Sequence, residues 1–322
     1  MWAKTVDFLN DIKEQVLITS HLLPDGDALG SMFAVKEILK CYGIESILVN
    51  ESHIPNRFKF LNNKDKIYKP HELACKFKKA IILDCGDIDR IGRSRSLLVE
   101  DALILNIDHH ATNTYFGQLN IVNEGAAATC QLIFEWINFS PKVEWSQSLA
   151  TMVYTGLVTD TGGFRHRTTT GLVLRQAAKL IDIGVNPAEI AMLAMDKVSE
   201  AQLKLLCLSL SSMERYDEGR ITALTITKNM WQASKAEEGD EEGLVSYARN
   251  VEGSLVGVLF WERAGLVKIS LRSFGQLNVG AFANDLGGGG HLNAAGCTFL
   301  NQSLEQVKEL VLRKLYPFVR DR

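Results

Sequence analysis

Two kinds of hydrophobic spacing divide the first half of the chain into helices and strands. Apolar residues recur at helical spacing in four segments, at 3–14, 28–41, 127–137 and 147–160. Short, continuous apolar runs rich in Val, Ile and Leu alternate with them, at 16–20, 45–50, 80–84 and 102–108. Such runs are typical of strands in a parallel sheet that helices cover on both faces. The alternation therefore predicts an α/β fold with a doubly wound, mainly parallel sheet.

The pattern changes after Gly184–Pro187, where a helical stretch of mixed polarity occupies 188–215. Further along, segments rich in β-branched residues predict strands over 220–231, 254–262 and 266–273. Helical spacing returns at 278–286 and 303–318. We therefore expect an N-terminal domain over 1–187, a helical linker over 188–215 and a smaller C-terminal α/β domain over 216–322. A cleft is expected between the two domains.

Composition narrows the range of functions. The chain has 322 residues, 46% of them hydrophobic, and a net charge of −3, as expected of a globular protein without a basic field for long duplex DNA. A short nucleotide remains a candidate ligand, because a few local arginines can hold a few phosphates. The 6 cysteines form no CxxC pair, so we interpret them as reduced thiols. With no signal core and no membrane-spanning run, we expect a cytoplasmic protein.

Acidic residues and histidines follow the apolar runs at four places. The residues are His21, Asp25, Asp27, Asp84, Asp108, His109, His110 and Asp160. Because the carboxyl ends of parallel strands meet at one edge of a sheet, we expect these side chains to converge. A single Asp after a strand is usually a turn or capping residue. Five converging carboxylates, however, repel one another at neutral pH unless cations lie among them, so the set predicts a metal site.

Mixed imidazole and carboxylate ligands suit Mn²⁺, with Fe²⁺, Co²⁺ and Zn²⁺ as alternatives, whereas Mg²⁺ prefers oxygen ligands throughout. Two ions about 3.5–4 Å apart and bridged by a carboxylate stabilise both the attacking and the leaving oxygen of a phosphoryl transfer. We therefore expect two divalent ions, with Mn²⁺ as the first candidate.

Four motifs carry a family resemblance. HxxPDGDALGS, DCGD, DHH and TDTGGF, in this order, resemble the motifs of the DHH phosphoesterase superfamily. The resemblance implies two ion sites that share Asp84, one completed by His21 and Asp25 and the other by Asp27, His109 and Asp160. It also implies that His110 faces the scissile phosphate. Asp108 is then expected to orient the neighbouring imidazoles rather than to bind a metal.

The C-terminal domain has its own signature, GGGGHLNAAG at 287–296 with SLRS upstream at 270–273. Together they resemble the DHHA1 domain, which accompanies DHH domains in one branch of the superfamily. Glycines let the backbone approach a ligand closely, and Arg suits bidentate phosphate recognition. The expected substrate-binding residues are Arg272, Gly288, Gly289, Gly290 and His291. The resemblance thus assigns catalysis to 1–187 and substrate binding to 216–322.

The compact length most resembles the oligoribonuclease and 3′-phosphoadenosine 5′-phosphate phosphatase group (nano-RNases). This implies two-metal activation of water to cleave single-stranded RNA or DNA of roughly two to five residues into 5′-mononucleotides, because a small site limits the contact area. Removal of the 3′-phosphate of 3′-phosphoadenosine 5′-phosphate is the related activity. A cyclic or linear dinucleotide phosphodiesterase is the main alternative, and a non-catalytic nucleotide-binding protein is a third. No membrane partner is expected, and a homodimer is left open.

Overall fold

The computed structural model describes residues 2–10, 14–61, 65–237, 239–263 and 265–320. The chain forms two compact units, Met1–Lys197 and Val198–Arg322. Each unit contains one of the two six-stranded sheets. No helix in the described part of the chain has the length and apolar character needed to cross a membrane.

The N-terminal unit is built on a parallel sheet. Its strands are β1 (Val16–Ser20), β2 (Ser46–Val49), β3 (Ile67–Tyr68), β4 (Phe77–Leu83), β5 (Leu98–Asp108) and β6 (Leu119–Val122). They lie in the order β3-β2-β1-β4-β5-β6, and every pairing is parallel. The predicted doubly wound sheet is therefore confirmed. The strand order reverses between β1 and β4, and in such sheets ligands bind beyond the carboxyl ends of the strands at this point.

Side chains of these strands alternate between two apolar cores, because successive residues of a strand point to opposite faces. Val16 and Ile18 of β1 join the larger core, whereas Leu17 joins the smaller one. Helices contribute most of the remaining apolar residues of the larger core. The helices of the unit are α1 (Trp2–Asn10), α2 (Gly26–Cys41), α3 (Thr129–Phe139), α4 (Gln147–Asp160), α5 (Gly171–Asp182) and α6 (Pro187–Ala191). The smaller core includes Ile91 and Leu97 from a 3₁₀ segment at Ile88–Leu97.

The C-terminal unit has a mixed sheet with strand order β11-β12-β10-β9-β8-β7. Its strands are β7 (Glu214–Tyr216), β8 (Ile221–Ile226), β9 (Val256–Arg263), β10 (Leu266–Ser273), β11 (Gly289–His291) and β12 (Ala294–Leu300). Its helices are α7 (Glu200–Ser211), α8 (Lys228–Ser234), α9 (Leu244–Arg249), α10 (Val279–Asn284) and α11 (Leu304–Arg320). Among the described strands of this unit, only β8 and β9 pair in parallel.

Three segments differ from the expectation. The stretch predicted to be helical over 188–215 contains α6, a π-helical turn at Met192–Asp196 and α7, and Glu214 already belongs to β7. The strand predicted over 220–231 ends at Ile226, because the Thr227 side chain caps α8 by accepting from the Met230 N–H. The first helix is seen over Trp2–Asn10, and the rest of its predicted range includes 11–13, which lie outside the described residues.

Candidate metal centre

Three neighbouring strands deliver most of the predicted site. His21 follows β1, Asp84 follows β4, and Asp108 is the last residue of β5. Since β1, β4 and β5 are adjacent in the sheet, their carboxyl ends bring these side chains to one edge. Asp25 caps helix α2 and Asp27 lies in its first turn, whereas His109 and His110 follow β5 and Asp160 ends helix α4. All eight therefore belong to one unit of the chain.

His21, Asp25 and Asp84 form a first donor group, with ligand atoms that all lie within 4.8 Å of one another. The Nε2 atom of His21 is 3.4 Å from Oδ2 of Asp84. Asp25 caps helix α2, and its Oδ1 accepts from the Asp27 and Ala28 N–H groups, both at 3.0 Å. One carboxylate oxygen of Asp25 is thus held by the backbone.

Asp27, His109 and Asp160 form a second donor group, whose ligand atoms also lie within 4.8 Å of one another. Nε2 of His109 lies 3.1 Å from Oδ2 of Asp160 and 3.5 Å from Oδ1 of Asp84. Asp84 therefore directs one oxygen toward each group, Oδ2 toward His21 and Oδ1 toward His109. This is the arrangement expected of a bridging carboxylate.

Both imidazoles are fixed by the backbone. Nδ1 of His21 donates to the Leu22 carbonyl at 2.7 Å, and Nδ1 of His109 is 3.2 Å from the Ala126 carbonyl. In each ring the Nε2 atom is left to face the carboxylates. Metal-binding histidines characteristically donate the other ring N–H to a carbonyl or carboxylate in this way, so the donor set fits divalent cations that accept nitrogen and oxygen ligands.

Acidic side chains of the site have strongly shifted pKa values. Burial, aided by repulsion from Asp84 and Asp160, raises the pKa of Asp25 to about 6 and the pKa of Asp27 well above its usual range. Burial also opposes ionisation of Asp84, but hydrogen bonds from His109 and His21 outweigh it and hold the pKa of Asp84 well below its usual range.

The imidazoles balance this negative charge. Burial disfavours their protonated forms, but hydrogen bonds and attraction to the carboxylates prevail, raising the pKa of His21 to about 9 and that of His109 to about 12. At neutral pH protons thus compensate the carboxylates. Divalent cations bound to neutral imidazoles would replace those protons, so the residues present fit a metal site.

The start of helix α3 provides further contacts that the sequence did not reveal. The Thr129 and Cys130 N–H groups donate to the two oxygens of Asp27, at 2.6 and 2.8 Å. The Thr129 hydroxyl donates to Oδ1 of Asp84 at 3.1 Å. Backbone donors at a helix N-terminus stabilise negative charge. The only signal in the sequence was a run of small residues before an apolar helical pattern.

Asp108 and His110 lie beside the two donor groups, with Nδ1 of His110 3.7 Å from Oδ1 of Asp84. Nδ1 of His110 lies 2.7 Å from Oδ1 of Asp108, which is completely buried. The other oxygen of Asp108 accepts a hydrogen bond from Nδ2 of Asn113 at 2.6 Å, and Asn113 also bonds Asn106 at 2.9 Å. His110 also forms a group with Asp84 and His109 that could hold an ion. The contact between Asp108 and His110 is the one expected of an orienting carboxylate.

Replacing Asn113 tests this network. Asn113→Ala removes a donor from buried Asp108, so we expect kcat to fall by about 10–100-fold with KM changed by less than about threefold, because such outer contacts act through the groups they orient. Steady-state kinetics on a phosphodiester substrate measure both constants. Asn123→Ala is the matched control, because this exposed amide accepts from the nearby Gly125 N–H and lies outside the Asp108 network. Equal losses of kcat in both variants would show that Asn113 does not act through Asp108.

The predicted substrate residues lie in the C-terminal unit. Arg272 is half-buried near the end of β10 and pairs in register with Ala294 of β12. The glycine run is partly strand, since Gly289, Gly290 and the exposed His291 form β11.

Close packing accounts for two of the glycines. A Cβ at Gly288 would lie 2.2 Å from the Gly296 carbonyl oxygen, and one at Gly290 would lie 2.4 Å from that of Ala294. Both positions therefore require glycine for packing against β12, whatever they bind. At Gly289 the nearest atom would be at an ordinary 3.4 Å.

Comparisons with known proteins agree with this architecture. The DHH family N-terminal domain matches residues 15–157, and the DHHA1 domain matches residues 222–316. The chain is 35% identical over 318 residues to the bifunctional oligoribonuclease and PAP phosphatase NrnA of Thermus thermophilus, covering 97% of this chain and 93% of the relative.

Two solved structures show the same fold. An exopolyphosphatase-related protein from Bacteroides fragilis superposes with a TM-score of 0.90 at 25% identity, covering 99% of this chain and 97% of the other. The exonuclease RecJ, in a manganese-bound crystal structure, gives a TM-score of 0.52 at 15% identity, covering 96% and 93%. The chain therefore belongs to the DHH/DHHA1 phosphoesterase superfamily and is a hydrolase that acts on phosphoester bonds.

Proposed function

We propose that this protein uses two divalent ions, with Mn²⁺ as the first candidate, to cleave short single-stranded oligonucleotides into 5′-mononucleotides. In the same site it would remove the 3′-phosphate of 3′-phosphoadenosine 5′-phosphate. The observation that carries the proposal is the pair of neighbouring donor groups, with Asp84 of the first group also 3.5 Å from Nε2 of His109 in the second. The NrnA relative, named for both activities, supports the choice of substrates, and the manganese-bound RecJ structure supports the choice of ion.

In this proposal His21, Asp25 and Asp84 hold one ion, and Asp27, Asp84, His109 and Asp160 hold the other. When bound, such ions supply Lewis-acid stabilisation and lower the pKa of water. The backbone carbonyls of Leu22 and Ala126 keep the Nε2 atoms of His21 and His109 directed at the site. Asp108 contacts Nδ1 of His110 and so orients this ring, and His110 stabilises charge on the phosphoryl or leaving oxygen in this proposal.

We further infer that residues 1–187 carry out catalysis and residues 216–322 bind the substrate, with 188–215 as the linker. Arg272, Gly288, Gly289, Gly290 and His291 are the proposed binding residues. Arg272 supports this role because burial, together with the nearby charge of Arg249, lowers the pKa of its guanidinium. A phosphate would relieve that unfavourable charge, since Arg binds phosphate through paired, charge-assisted hydrogen bonds.

Arg272→Ala is accordingly expected to raise KM for short oligonucleotides by about 10–100-fold, the loss expected from a hydrogen bond to a charged group, with kcat changed by less than about threefold. Arg272→Lys keeps the charge but not the paired geometry, so an intermediate KM is expected. Initial rates over a range of diadenylate concentrations provide both constants. An unchanged KM in the Ala variant would remove Arg272 from the binding site.

One assay tests the proposed function as a whole. The purified protein would be incubated with Mn²⁺, and separately with Mg²⁺ or a chelator, and given a series of short RNAs, 3′-phosphoadenosine 5′-phosphate, a cyclic dinucleotide and its linear product. We expect 5′-mononucleotides from the short RNAs and none with the chelator. Preferred hydrolysis of the cyclic dinucleotide would instead support the signalling phosphodiesterase. No hydrolysis with any metal or substrate would support a non-catalytic nucleotide-binding protein.

A further inference from the structure

A second arginine, Arg249, lies near Arg272, although it is not part of the SLRS motif. Gly257 of β9 is the register partner of Arg272. A Cβ at Gly257 would lie 2.3 Å from the backbone N and 2.8 Å from the Cα of Arg249, the last residue of α9. The absence of a side chain at Gly257 therefore lets the end of α9 lie directly on the strand beside Arg272.

These two guanidiniums are poorly neutralised by the protein. Among the described residues, no carboxylate forms a salt bridge with either of them. Arg249 donates from Nε and Nη2 to the neutral Asn250 side chain, and Arg272 donates from Nη1 to the Leu271 carbonyl. Burial lowers the pKa of both, and the charge of Glu242 opposes this effect on Arg272. Two adjacent cations with neutral partners are suited to an added anion.

An exposed aromatic ring completes the arrangement. Phe274 follows Arg272 by two residues and is 53% exposed, and the Arg249 guanidinium carbon lies 4.7 Å from its ring centroid. The turn that carries Phe274 is fixed, because the Ser273 hydroxyl donates to the Leu277 carbonyl at 2.6 Å. Asn293 adds donations to Ser273 and to the Gly275 carbonyl, at 3.0 and 3.1 Å. A large ring held on a fixed turn beside cations is a suitable platform for a nucleobase.

We propose that Arg249, Arg272 and Phe274 form a mononucleotide clamp, in which the two guanidiniums bind a 5′-phosphate and Phe274 stacks on the base of the same nucleotide. The proposal rests on the proposed function and deepens it. Both proposed substrates contain a 5′-phosphorylated nucleoside with a phosphoester on its 3′-oxygen. The clamp holds that nucleoside as the leaving group.

The reaction then balances in the same way for both substrates. A water oxygen forms a bond to the phosphorus of the 3′-ester, and the bond between phosphorus and the 3′-oxygen breaks. The 3′-oxygen keeps the electron pair of that bond and takes a proton released from the water. A 5′-mononucleotide with a free 3′-hydroxyl leaves from the clamp. The other product is inorganic phosphate from 3′-phosphoadenosine 5′-phosphate, or the remaining chain with a 5′-phosphate from an oligonucleotide, which for a dinucleotide is a second 5′-mononucleotide.

The test compares three diadenylates, one with a 5′-phosphate, one with a 5′-hydroxyl, and one with a 5′-phosphate but no base on the first residue. Arg249→Ala should raise KM about tenfold or more for the 5′-phosphorylated compound and less than about threefold for the 5′-hydroxyl compound. Phe274→Ala should raise KM about tenfold for both compounds with a base and leave the abasic one unchanged, whereas Phe274→Trp should restore binding.

Two controls distinguish the loss of a clamp contact from a loss of folded structure. Arg313→Ala removes an exposed guanidinium from α11 of the same unit and should change no KM. Thermal melting followed by circular dichroism should show that each variant is folded like the wild-type protein. Unchanged KM values in Arg249→Ala and Phe274→Ala, or equal rises with all three diadenylates, would overturn the clamp.

Binding measurements separate this inference from the proposed function. If the wild-type protein hydrolyses no nucleotide with any metal, the proposed function fails. The clamp can still be judged by calorimetry on the full chain, using adenosine 5′-monophosphate and adenosine as probes. Tighter binding of the monophosphate, with the difference lost in Arg249→Ala, supports it. Equal binding of the two probes to the wild-type protein contradicts it.

Discussion

Asp84→Asn is expected to lower kcat by at least about 10³-fold while the protein stays folded. Asp84 directs Oδ2 toward His21 and Oδ1 toward His109, so its side chain faces both donor groups. A neutral amide cannot supply the negative charge that two divalent ions need from a bridging ligand. A loss of about 10³-fold corresponds to roughly 4 kcal/mol of transition-state stabilisation, within the several kcal/mol that metal ions provide.

Asn is the suitable replacement because of the backbone at this position. Asp84 has a φ of 53°, in the left-handed region, where Asn is tolerated better than most residues. Asp87→Asn in the same motif is the matched control, since the Asp87 side chain caps the 3₁₀ segment by accepting from the Asp89 N–H. We expect it to keep activity within about threefold, because a surface cap contributes only to local stability. Thermal melting and Mn²⁺-dependent rates would be compared, and full activity of Asp84→Asn would exclude the bridging role.

Gly156→Ala should destabilise the fold and impair catalysis together. A Cβ at this position of α4 would lie 2.3 Å from Sγ of Cys130 and 2.4 Å from Oδ1 of Asp27. Neither can easily move, because Cys130 is completely buried and Asp27 is held by two N–H groups of α3. We expect the free energy of unfolding to fall by about 1–3 kcal/mol, as in other overpacked cores. Displacement of Asp27 should also lower kcat, by about 100-fold for a shift near 1 Å.

The sign of the stability change is the decisive part of this prediction. In an exposed helix, Gly→Ala would stabilise the fold by about 1 kcal/mol. Gly171→Ala is the matched control, since Gly171 is an exposed first residue of α5 whose added methyl would meet only the flexible end of Arg175. Urea unfolding followed by circular dichroism would measure both variants. A stabilised and fully active Gly156→Ala would show that the packing of α4 does not constrain Asp27.

The success of the prediction for the N-terminal sheet has a local cause. Strands buried on both faces are continuous apolar runs, and the polar residue that ends each run lies at the carboxyl edge whatever the rest of the fold does. His21 and Asp84 were placed at that edge for this reason. The strand predicted over 266–273 was also found as β10, because buried Val267, Ile269 and Leu271 alternate with less buried residues.

Predictions that relied on periodicity alone were less accurate. Helical spacing was read across 188–215 as one element, although the chain leaves the helix before α7 and begins β7 at Glu214. Apolar content extended the strand at 220–231 past Thr227, where a single side-chain cap begins α8. Caps and breaks depend on backbone hydrogen bonds, which a hydrophobic pattern does not record.

The sequence by itself determined the fold class, the edge of the sheet where acidic residues and histidines gather, and the superfamily that its four motifs resemble. Only the tertiary structure decided which atoms face one another. Thr129 and Cys130 reach Asp27 through backbone N–H groups from more than 100 residues away, and the absence of a side chain at Gly257 admits Arg249. A sequence does not show which backbone N–H group or which glycine will belong to a site. That depends on the atoms that folding brings close to them.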